Sequence, residues 1–456
     1  MTTKRLIVIG GDAAGMSAAS QARKRVPADR LEIVAFERGD HGSYSACGIP
    51  YWIGGQVSAR DDLIVRTPEA FRKNQDIDLR VRSEVVAIDL DHRSVSVRSD
   101  SGGYDLGFDQ LMIATGATPV SPPWADVDFG GVFGVQTLDD GDRLASWLTP
   151  QVRRAVVIGG GYIGVEMAEA MINRGLDVTL LERSAQPMST VDPDMGTLVR
   201  DAMAGLGIDV RTGVTVTGLT GADGRVTGVT TESGEIPADV VVLGLGVRPN
   251  TLLARSAGIA VGDHGGILTD LRMRVPGHED VWAAGDCVET RQLITGGLVH
   301  LPLGTHANKQ GRVAGINIGG GYATFPGAIG TAVTKVCELE VARTGLRERE
   351  AASAGFDYVT ATVESTSRAG YFPGAEPMHI KLIAERRTGR LLGAQIVGRS
   401  EAAKRIDALA VALWSGMTVE EMTALDLGYA PPFAPVWDPV LIAARKAAEA
   451  VHAADA

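Results

Sequence analysis

The sequence predicts an α/β protein with two nucleotide-binding units and a smaller α+β segment at its C-terminus. An apolar run that ends in a glycine-rich turn occurs twice, at residues 6–15 and again at residues 155–164. Continuous apolar runs are typical of parallel strands that are buried on both faces. Near the C-terminus the pattern changes, and runs at 379–384 and 391–398 enclose a short turn, which predicts a β-hairpin.

Composition and charge restrict the classes of function. The chain has 456 residues, a net charge of −11 and three cysteines that form no CxxC pair. The negative charge argues against a nucleic-acid partner, and the few cysteines argue against a disulfide framework. Because no apolar run approaches the ~18 residues of a membrane helix and no secretory leader is recognised, we expect a cytoplasmic protein without a membrane partner.

The first glycine-rich turn predicts a βαβ dinucleotide site. Gly10 and Gly15 lie between an apolar strand and an alanine-rich helix, and the next strand ends in the acid Glu37. A helix N-terminus binds pyrophosphate, and an acid at the end of the second strand accepts from a ribose hydroxyl. Asp12 occupies the position of the second glycine, so an ordinary strand–turn–helix remains an alternative here.

The second turn matches the dinucleotide pattern fully. Gly159, Gly161 and Gly164 have the GxGxxG spacing, and the following strand ends in Glu182. An acid at this position favours the free 2′-hydroxyl of NADH, whereas a neighbouring arginine such as Arg183 can hold the 2′-phosphate of NADPH. We therefore expect NADH as the nucleotide, with NADPH as the alternative.

The order of the motifs is more specific than any one of them. Further short strands break at 116–119 and 246–249, and another ends at Asp286. This order resembles the pyridine nucleotide–disulfide oxidoreductases, flavoproteins with two Rossmann-like dinucleotide-binding domains and an α+β dimerisation domain. The resemblance implies a homodimer with an FAD-binding domain at 1–118 and 247–330, an NAD(P)H-binding domain at 119–246 and a dimerisation domain at 331–456.

The resemblance also implies roles for single residues around the flavin. Asp286 would contact the ribityl chain, and the helix after residues 304–307, where Ala307 is the implied contact, would point its positive N-terminus at the flavin. Tyr162 would gate the nicotinamide side, with Glu166 on the same helix. The other cofactor contacts implied in this way are Arg38, Ser43, Thr115, Gly116, Ile163 and Gly246.

Cys47 is the predicted redox nucleophile. No second cysteine lies near it, so it would work through a mixed disulfide or a sulfenic acid, while Cys287 and Cys337 are interpreted as small core residues. A helix that begins near Cys47 would lower its pKa. The Cys-Gly-x-Pro-Tyr segment resembles the single-cysteine branch of the family: coenzyme A-disulfide reductases, coenzyme A-persulfide reductases, NADH oxidases and NADH peroxidases.

Two tyrosines and a group of basic and polar residues favour a coenzyme A substrate within that branch. Tyr371 and Tyr429, the latter before Pro431 and Pro432, resemble the active-site tyrosines of coenzyme A-disulfide reductases, where the second reaches the cysteine of the other subunit. Interface aromatics are the alternative for both. The substrate-binding residues implied by the resemblance are Gln21, Arg23, Lys24, Ser43, Arg72 and Lys73, for which a solvated charged face is the alternative.

These observations predict an FAD-dependent NAD(P)H oxidoreductase that reduces coenzyme A disulfide or persulfide through Cys47. The oxidases and peroxidases of the branch that the chain resembles usually carry a histidine in the first glycine-rich turn. This chain has none there, which disfavours a peroxidase. An NADH oxidase with oxygen as acceptor stays open, as does a ferredoxin-type electron-transfer reductase that would not need Cys47. A flavoprotein that is not an enzyme and regulates a partner is a further alternative. No metal ligand is assigned.

Overall fold

The first nucleotide-binding unit is built on a parallel sheet. The computed structural model describes residues 3–454. The elements up to residue 119 are β1 Lys4–Ile9, α1 Ala13–Arg23, β2 Leu31–Phe36, α2 Ile49–Ile53, α3 Pro68–Gln75, β3 Ile77–Arg80, β4 Ser83–Asp89, β5 Ser94–Ser99, β6 Gly102–Gly107, β7 Gln110–Ile113 and β8 Ala117–Pro119. The sheet order is β3-β2-β1-β7 and then Val281–Ala283, and all of its neighbours pair in parallel.

The second unit repeats this plan. Its elements are β9 Val132–Gly134, α4 Leu138–Trp147, β10 Arg154–Ile158, α5 Tyr162–Asn173, β11 Asp177–Glu182, α6 Pro193–Gly205, β12 Asp209–Thr212, β13 Val216–Ala222, β14 Arg225–Thr231, β15 Gly234–Pro237, β16 Val240–Leu243 and β17 Val247–Pro249. The parallel sheet has the order β12-β11-β10-β16-β9. Each unit also carries a three-stranded antiparallel sheet, β4-β5-β6 in the first and β13-β14-β15 in the second.

The rest of the chain completes the first sheet and then forms an antiparallel sheet with helices. Its elements are α7 Leu252–Ser256, β18 Val281–Ala283, β19 Thr290–Arg291, β20 Leu298–Val299, α8 Gly304–Ile318, β21 Ala332–Val336, β22 Leu339–Gly345, α9 Glu348–Ser353, β23 Tyr358–Thr366, β24 Pro377–Glu385, β25 Leu391–Gly398, α10 Ala402–Trp414, α11 Val419–Met422 and α12 Pro439–Ala454. The C-terminal sheet has the order β21-β22-β25-β24-β23.

The predicted α/β fold class is confirmed, and so is the hairpin, which is formed by β24 and β25. Helix α12 is not predicted from the sequence, although its apolar side chains join the C-terminal core. The chain passes between the two parallel sheets through β8 and β17, which pair with each other. This crossing supports the domain limits at 118 and 247, which stay a prediction. Among the described residues, no helix is long and apolar enough to cross a bilayer.

Candidate active site

The two glycine-rich turns have nearly the same geometry. Gly10 and Gly159 adopt φ values of +111° and +101°, a region that favours glycine. A Cβ on Gly15 would lie 2.0 Å from the carbonyl oxygen of Gly10, and a Cβ on Gly164 would lie 1.8 Å from that of Gly159. Because a side chain at these positions would collide with backbone, both turns need glycine to bring the helix against the strand.

The acids at the ends of β2 and β11 face back to the turns. Glu37 accepts from the backbone N–H of Gly11 at 3.0 Å, and Glu182 accepts from that of Gly160 at 2.7 Å. Helices α1 and α5 begin at Ala13 and Tyr162, three residues earlier than the apolar pattern suggests, so their free N–H groups meet each turn. Both sites therefore present the donors and the acid that a dinucleotide requires.

The second position of the pattern distinguishes the two turns. A Cβ on Gly161 would meet no atom within 4 Å, so this position is open to a ligand. In the first turn Asp12 stands there, and its carboxylate accepts from the backbone N–H of Tyr44 at 3.3 Å. Burial, opposed by that hydrogen bond, raises the pKa of Asp12 to about 6. Asp12 thus ties the first turn to the segment that carries Cys47.

Cys47 lies in a short 3-10 turn, Ala46–Gly48, that runs directly into α2. It is exposed, whereas Cys287 and Cys337 are buried, which confirms their interpretation as core residues. The prediction that a helix N-terminus lowers the pKa of Cys47 is wrong: the residues around the thiol raise it. Partial burial raises the pKa of the thiol, and the carboxylates of Glu166, Asp286 and Asp12 raise it further.

Glu166 has a partner on the C-terminal segment. Its carboxylate accepts from the hydroxyl of Thr334 on β21 at 2.6 Å. Burial raises the pKa of Glu166 to about 7, although this hydrogen bond opposes the shift. One turn further along α5, Glu169 pairs with Lys335 and accepts from the backbone N–H of Cys337 at 2.9 Å. Nothing in the sequence marks Thr334 as a neighbour of the site, because it is distant in the chain.

The remaining predicted cofactor residues lie at strand ends or in the first turns of helices. The Thr115 hydroxyl donates to the carbonyl of Asn250 at 2.6 Å, and Gly116 and Gly246 adopt positive φ beside the β8–β17 crossing. Burial raises the pKa of Asp286 to about 6. The placement of the others is as follows: Ala307 is buried in the first turn of α8, Ile163 and Tyr162 are half-buried in the first turn of α5, Ser43 is half-buried before Cys47, and Arg38 is exposed beside Glu37.

Tyr371 and Tyr429 lie together on the surface of the C-terminal unit. Burial raises the pKa of Tyr429, and the phenol of Tyr371 raises it further. Their two loops are joined by the N–H of Ala369, which donates to the carbonyl of Pro431 at 3.1 Å. The structure thus pairs the two tyrosines with each other.

The predicted coenzyme A residues divide into engaged and free ones. Arg23 donates to the carbonyls of Gln75, Val26 and Asp76 at 2.9–3.1 Å, which makes it a clamp between α1 and α3 and favours a structural role over the predicted one. Three others have partners: the Gln21 side chain accepts from Arg25, the Arg72 side chain donates to Asp78, and the backbone carbonyl of Ser43 accepts from two N–H groups. The side chains of Lys24 and Lys73 are exposed.

Two clusters of potential metal ligands each contact a basic side chain. Asp192, Asp194 and Glu348 surround the ammonium group of Lys381. In the second cluster, His41 and Asp142 contact the guanidinium of Arg60, with Asp139 near them. The arginine and the lysine already neutralise the carboxylates that they contact, so we assign neither cluster to a metal ion.

Comparison with known proteins agrees with this geometry. A coenzyme A polysulfide/persulfide reductase of Pyrococcus horikoshii is 39% identical over 97% of this chain and 98% of its own. An NADH oxidase of Methanocaldococcus jannaschii is 34% identical (97% and 98%), and a coenzyme A disulfide reductase of Staphylococcus haemolyticus is 30% identical (94% and 96%). Among solved structures, an NAD-dependent persulfide reductase from A. fulgidus superimposes with a TM-score of 0.94 at 39% identity, covering 97% of this chain and 82% of that chain.

Two family models cover nearly the whole chain. The model described as pyridine nucleotide-disulphide oxidoreductase matches residues 4–311, which include both glycine-rich turns and Cys47. The model for the dimerisation domain of the same family matches residues 331–439, which include the two tyrosines. The chain therefore belongs to the pyridine nucleotide-disulphide oxidoreductase family.

Proposed function

We propose that this protein is an FAD-dependent NAD(P)H oxidoreductase that reduces coenzyme A disulfide or persulfide through Cys47. The observation that carries the proposal is the isolation of one exposed cysteine. Cys47 opens to the surface beside the first turn, while Cys287 and Cys337 are buried and carry pKa values raised by burial to about 11 and about 12. Without a resolving partner, the Cys47 thiolate would exchange with the sulfur of a small external disulfide or persulfide.

The residues at each turn fit a dinucleotide. The first turn with Glu37 and Asp286 would hold FAD, and the second turn with Glu182 would hold the nicotinamide nucleotide. Bound FAD supplies a two-electron carrier between NAD(P)H and the cysteine. Arg183 is exposed beside Glu182, so a 2′-phosphate has a cation within reach and NADPH is a second nucleotide for this site.

The chemistry at Cys47 follows from thiol–disulfide exchange. The Cys47 thiolate attacks one sulfur of the substrate, a mixed disulfide forms, and the other half leaves as a thiolate. Two electrons and a proton from NAD(P)H then release the second thiol and restore the Cys47 thiolate. Lys24 and Lys73 are exposed, and in this proposal they would hold the coenzyme A phosphates.

A homodimer with shared sites would bring the tyrosines to Cys47. Tyr371 and Tyr429 are 78% and 48% exposed, and Phe433, Val436 and Trp437 near them are at least half exposed. A second copy of the chain would cover these apolar side chains, since large exposed apolar patches mark interaction surfaces. Each phenol then donates to a leaving thiolate in the other subunit.

Replacement of the nucleophile tests the proposal. Cys47→Ser should abolish NADH-dependent turnover of coenzyme A disulfide while FAD remains bound, and Cys287→Ser should retain turnover because that thiol is buried. Intact mass before and after reductant should show loss of an adduct from Cys47. Full turnover by Cys47→Ser would refute the proposal. Efficient ferredoxin reduction by that variant would instead identify an electron-transfer reductase.

A further inference from the structure

The connection between β11 and α6, residues 183–192, packs against the second glycine-rich turn. The backbone N–H of Met188 donates to the carbonyl of Gly160 at 2.6 Å. A Cβ on Gly160 would lie 3.0 Å from the Cβ of Pro187, so the connection covers this glycine closely. The β11–α6 connection therefore helps to hold the turn at which the nicotinamide nucleotide is proposed to bind.

Met188 itself has a strained backbone. Its φ is +52°, a left-handed conformation that residues with a Cβ rarely adopt, and its side chain is fully buried. A residue keeps such a conformation only where the surrounding structure holds it there, and strain of this kind concentrates at ligand sites. The contact of Met188 with Gly160 therefore needs support from other parts of the chain.

Two arginines of the C-terminal unit hold the connection just beyond Met188. Arg343 on β22 donates to the carbonyl of Thr190 at 2.9 Å, and Arg347, directly before α9, donates to the carbonyl of Ser189. The arginine side chains are only 14% and 15% exposed, and both guanidinium groups donate to the Glu350 carboxylate. Because a guanidinium is planar and always charged, it can hold two acceptors at once in a fixed geometry.

The end of the connection has a separate anchor. The backbone N–H of Asp192 donates to the side chain of Gln395 at 2.7 Å, and the Gln395 amide donates back to the Asp192 carboxylate at 2.6 Å. Both residues are buried. Since this pair also joins the second nucleotide-binding unit to the C-terminal unit, loss of one arginine should free the middle of the connection without separating the units.

We propose that Arg343 and Arg347 are positioning residues for the NAD(P)H site. By holding two successive carbonyls of the connection they keep Met188 on Gly160, and the second turn stays in the form that binds the nucleotide. The C-terminal unit thus contributes to nucleotide affinity through the connection. This rests on the proposed placement of NAD(P)H at the second turn. Because coupling between two sites is reciprocal, nucleotide binding in turn tightens the contact between the connection and the arginines.

The first test is anaerobic reduction of the FAD in the holoenzyme by NADH, followed by flavin absorbance. Its dependence on NADH concentration gives the Kd for NADH and the limiting rate, and no disulfide substrate is needed. Arg343→Met and Arg347→Met should each raise this Kd about fivefold to tenfold at an unchanged limiting rate. Arg343→Lys keeps one donor for the carbonyl of Thr190, so it should raise the Kd less than Arg343→Met.

Arg386→Met is the matched control. Arg386 also belongs to the C-terminal unit and also donates to one carboxylate and one carbonyl, those of Asp357 and Tyr358, but it does not contact the connection. Its loss should leave the Kd for NADH unchanged. Wild-type Kd values in both Arg343→Met and Arg347→Met would overturn the positioning role.

Hydrogen exchange at the Met188 amide reports directly on its bond to Gly160. In the wild-type holoenzyme, saturating NADH should slow exchange at residues 183–192 and also at residues 343–350 of the C-terminal unit. This measurement needs no variant, and no slowing at residues 343–350 would contradict the coupling. In Arg343→Met the Met188 amide should exchange faster. Faster exchange at an unchanged Kd for NADH would show a merely structural role and overturn the assignment.

These measurements separate the positioning role from the proposed function. If NADH reduces the flavin but the protein does not turn over coenzyme A disulfide, the proposed substrate is wrong, and the Kd values still decide the role of the arginines. If Gly161→Ala binds NADH as tightly as the wild type, the nucleotide does not lie at this turn and the positioning role falls as well. If turnover depends on Cys47 but Arg343→Met and Arg347→Met keep the wild-type Kd, the function stands and the positioning role is wrong.

Discussion

The ammonium nitrogen of Lys381 lies 3.3 Å from a carboxylate oxygen of Asp192, and the two side chains are only 4% and 3% exposed. Asp194 at 2.8 Å and Glu348 complete the surroundings of the lysine. Lys381 belongs to β24 of the C-terminal sheet, and Asp192 directly precedes α6 of the second nucleotide-binding unit. One buried cation therefore joins two units that are far apart in the sequence.

Removing that cation should destabilise the protein strongly. Lys381→Met leaves three carboxylates together without a counter-charge, and breaking a buried pair costs about 3 kcal/mol. The matched control is Lys404→Met, whose pair with Asp407 is mostly exposed and should change the free energy of unfolding by less than about 1 kcal/mol. Denaturant unfolding compares the two, and equal losses would contradict the role of burial.

The same cluster predicts a pH dependence. Burial lowers the pKa of Lys381, but the hydrogen bonds to Asp194 and Glu348 raise it by more, so the net shift is upward from 10.5. A raised lysine pKa stabilises the folded state fully below the unfolded value and loses this contribution as the pH rises through the folded value. The difference in unfolding free energy between the wild type and Lys381→Met should therefore be constant near neutral pH and shrink above about pH 10.5. A difference that stays constant through pH 12 would contradict this.

Replacement by alanine should have different effects at Gly164 and at Gly161 in the second turn. Gly164→Ala places a methyl group 1.8 Å from a carbonyl oxygen, so the variant should lose the close approach of α5 to β10 and unfold at lower temperature. Gly161→Ala meets open space at a φ of −76°, so it should fold normally and raise the KM for NADH. Thermal unfolding and steady-state kinetics separate the two, and an unchanged KM in Gly161→Ala would argue against a nucleotide at this turn.

Arg23 and Lys24 are adjacent but should differ in effect. Arg23→Ala leaves three carbonyl groups without their donor, which should lower the free energy of unfolding by about 1–3 kcal/mol. Lys24→Ala removes an exposed charge and should change only the KM for coenzyme A disulfide. If Arg23→Ala instead raised that KM at unchanged stability, Arg23 would be a substrate contact after all.

The paired phenols should matter for turnover and not for nucleotide binding. Tyr429→Phe and Tyr371→Phe remove hydroxyl groups that are exposed in one subunit, so the stability of the subunit should not change. Loss of a general acid should lower turnover of coenzyme A disulfide about 100-fold. Mixed dimers of Tyr429→Phe with Cys47→Ser supply the control, because a shared site retains one intact cysteine–tyrosine pair and keeps activity. Complete inactivity of the mixed dimer would contradict a shared site.

The sequence by itself determined the two nucleotide-binding units and indicated Cys47 as the candidate nucleophile. Both glycine-rich turns, with Glu37 and Glu182 at the ends of the following strands, depend on local spacing and backbone conformation, which are readable from the chain. The sequence also shows directly that no second cysteine lies near Cys47 in the chain. The same local reasoning missed α12, whose place depends on packing against β23 and β24 rather than on a motif.

Only the tertiary structure decided the environment of the nucleophile. Partial burial raises the Cys47 pKa, and the carboxylates of Glu166, Asp286 and Asp12, which come from three distant elements, raise it further, whereas the sequence suggested a lowering by a helix N-terminus. The same holds for Thr334, which reaches Glu166 from a strand 168 positions further along the chain. Electrostatic shifts depend on distance and burial, and both are fixed by the packing of elements that are separate in sequence.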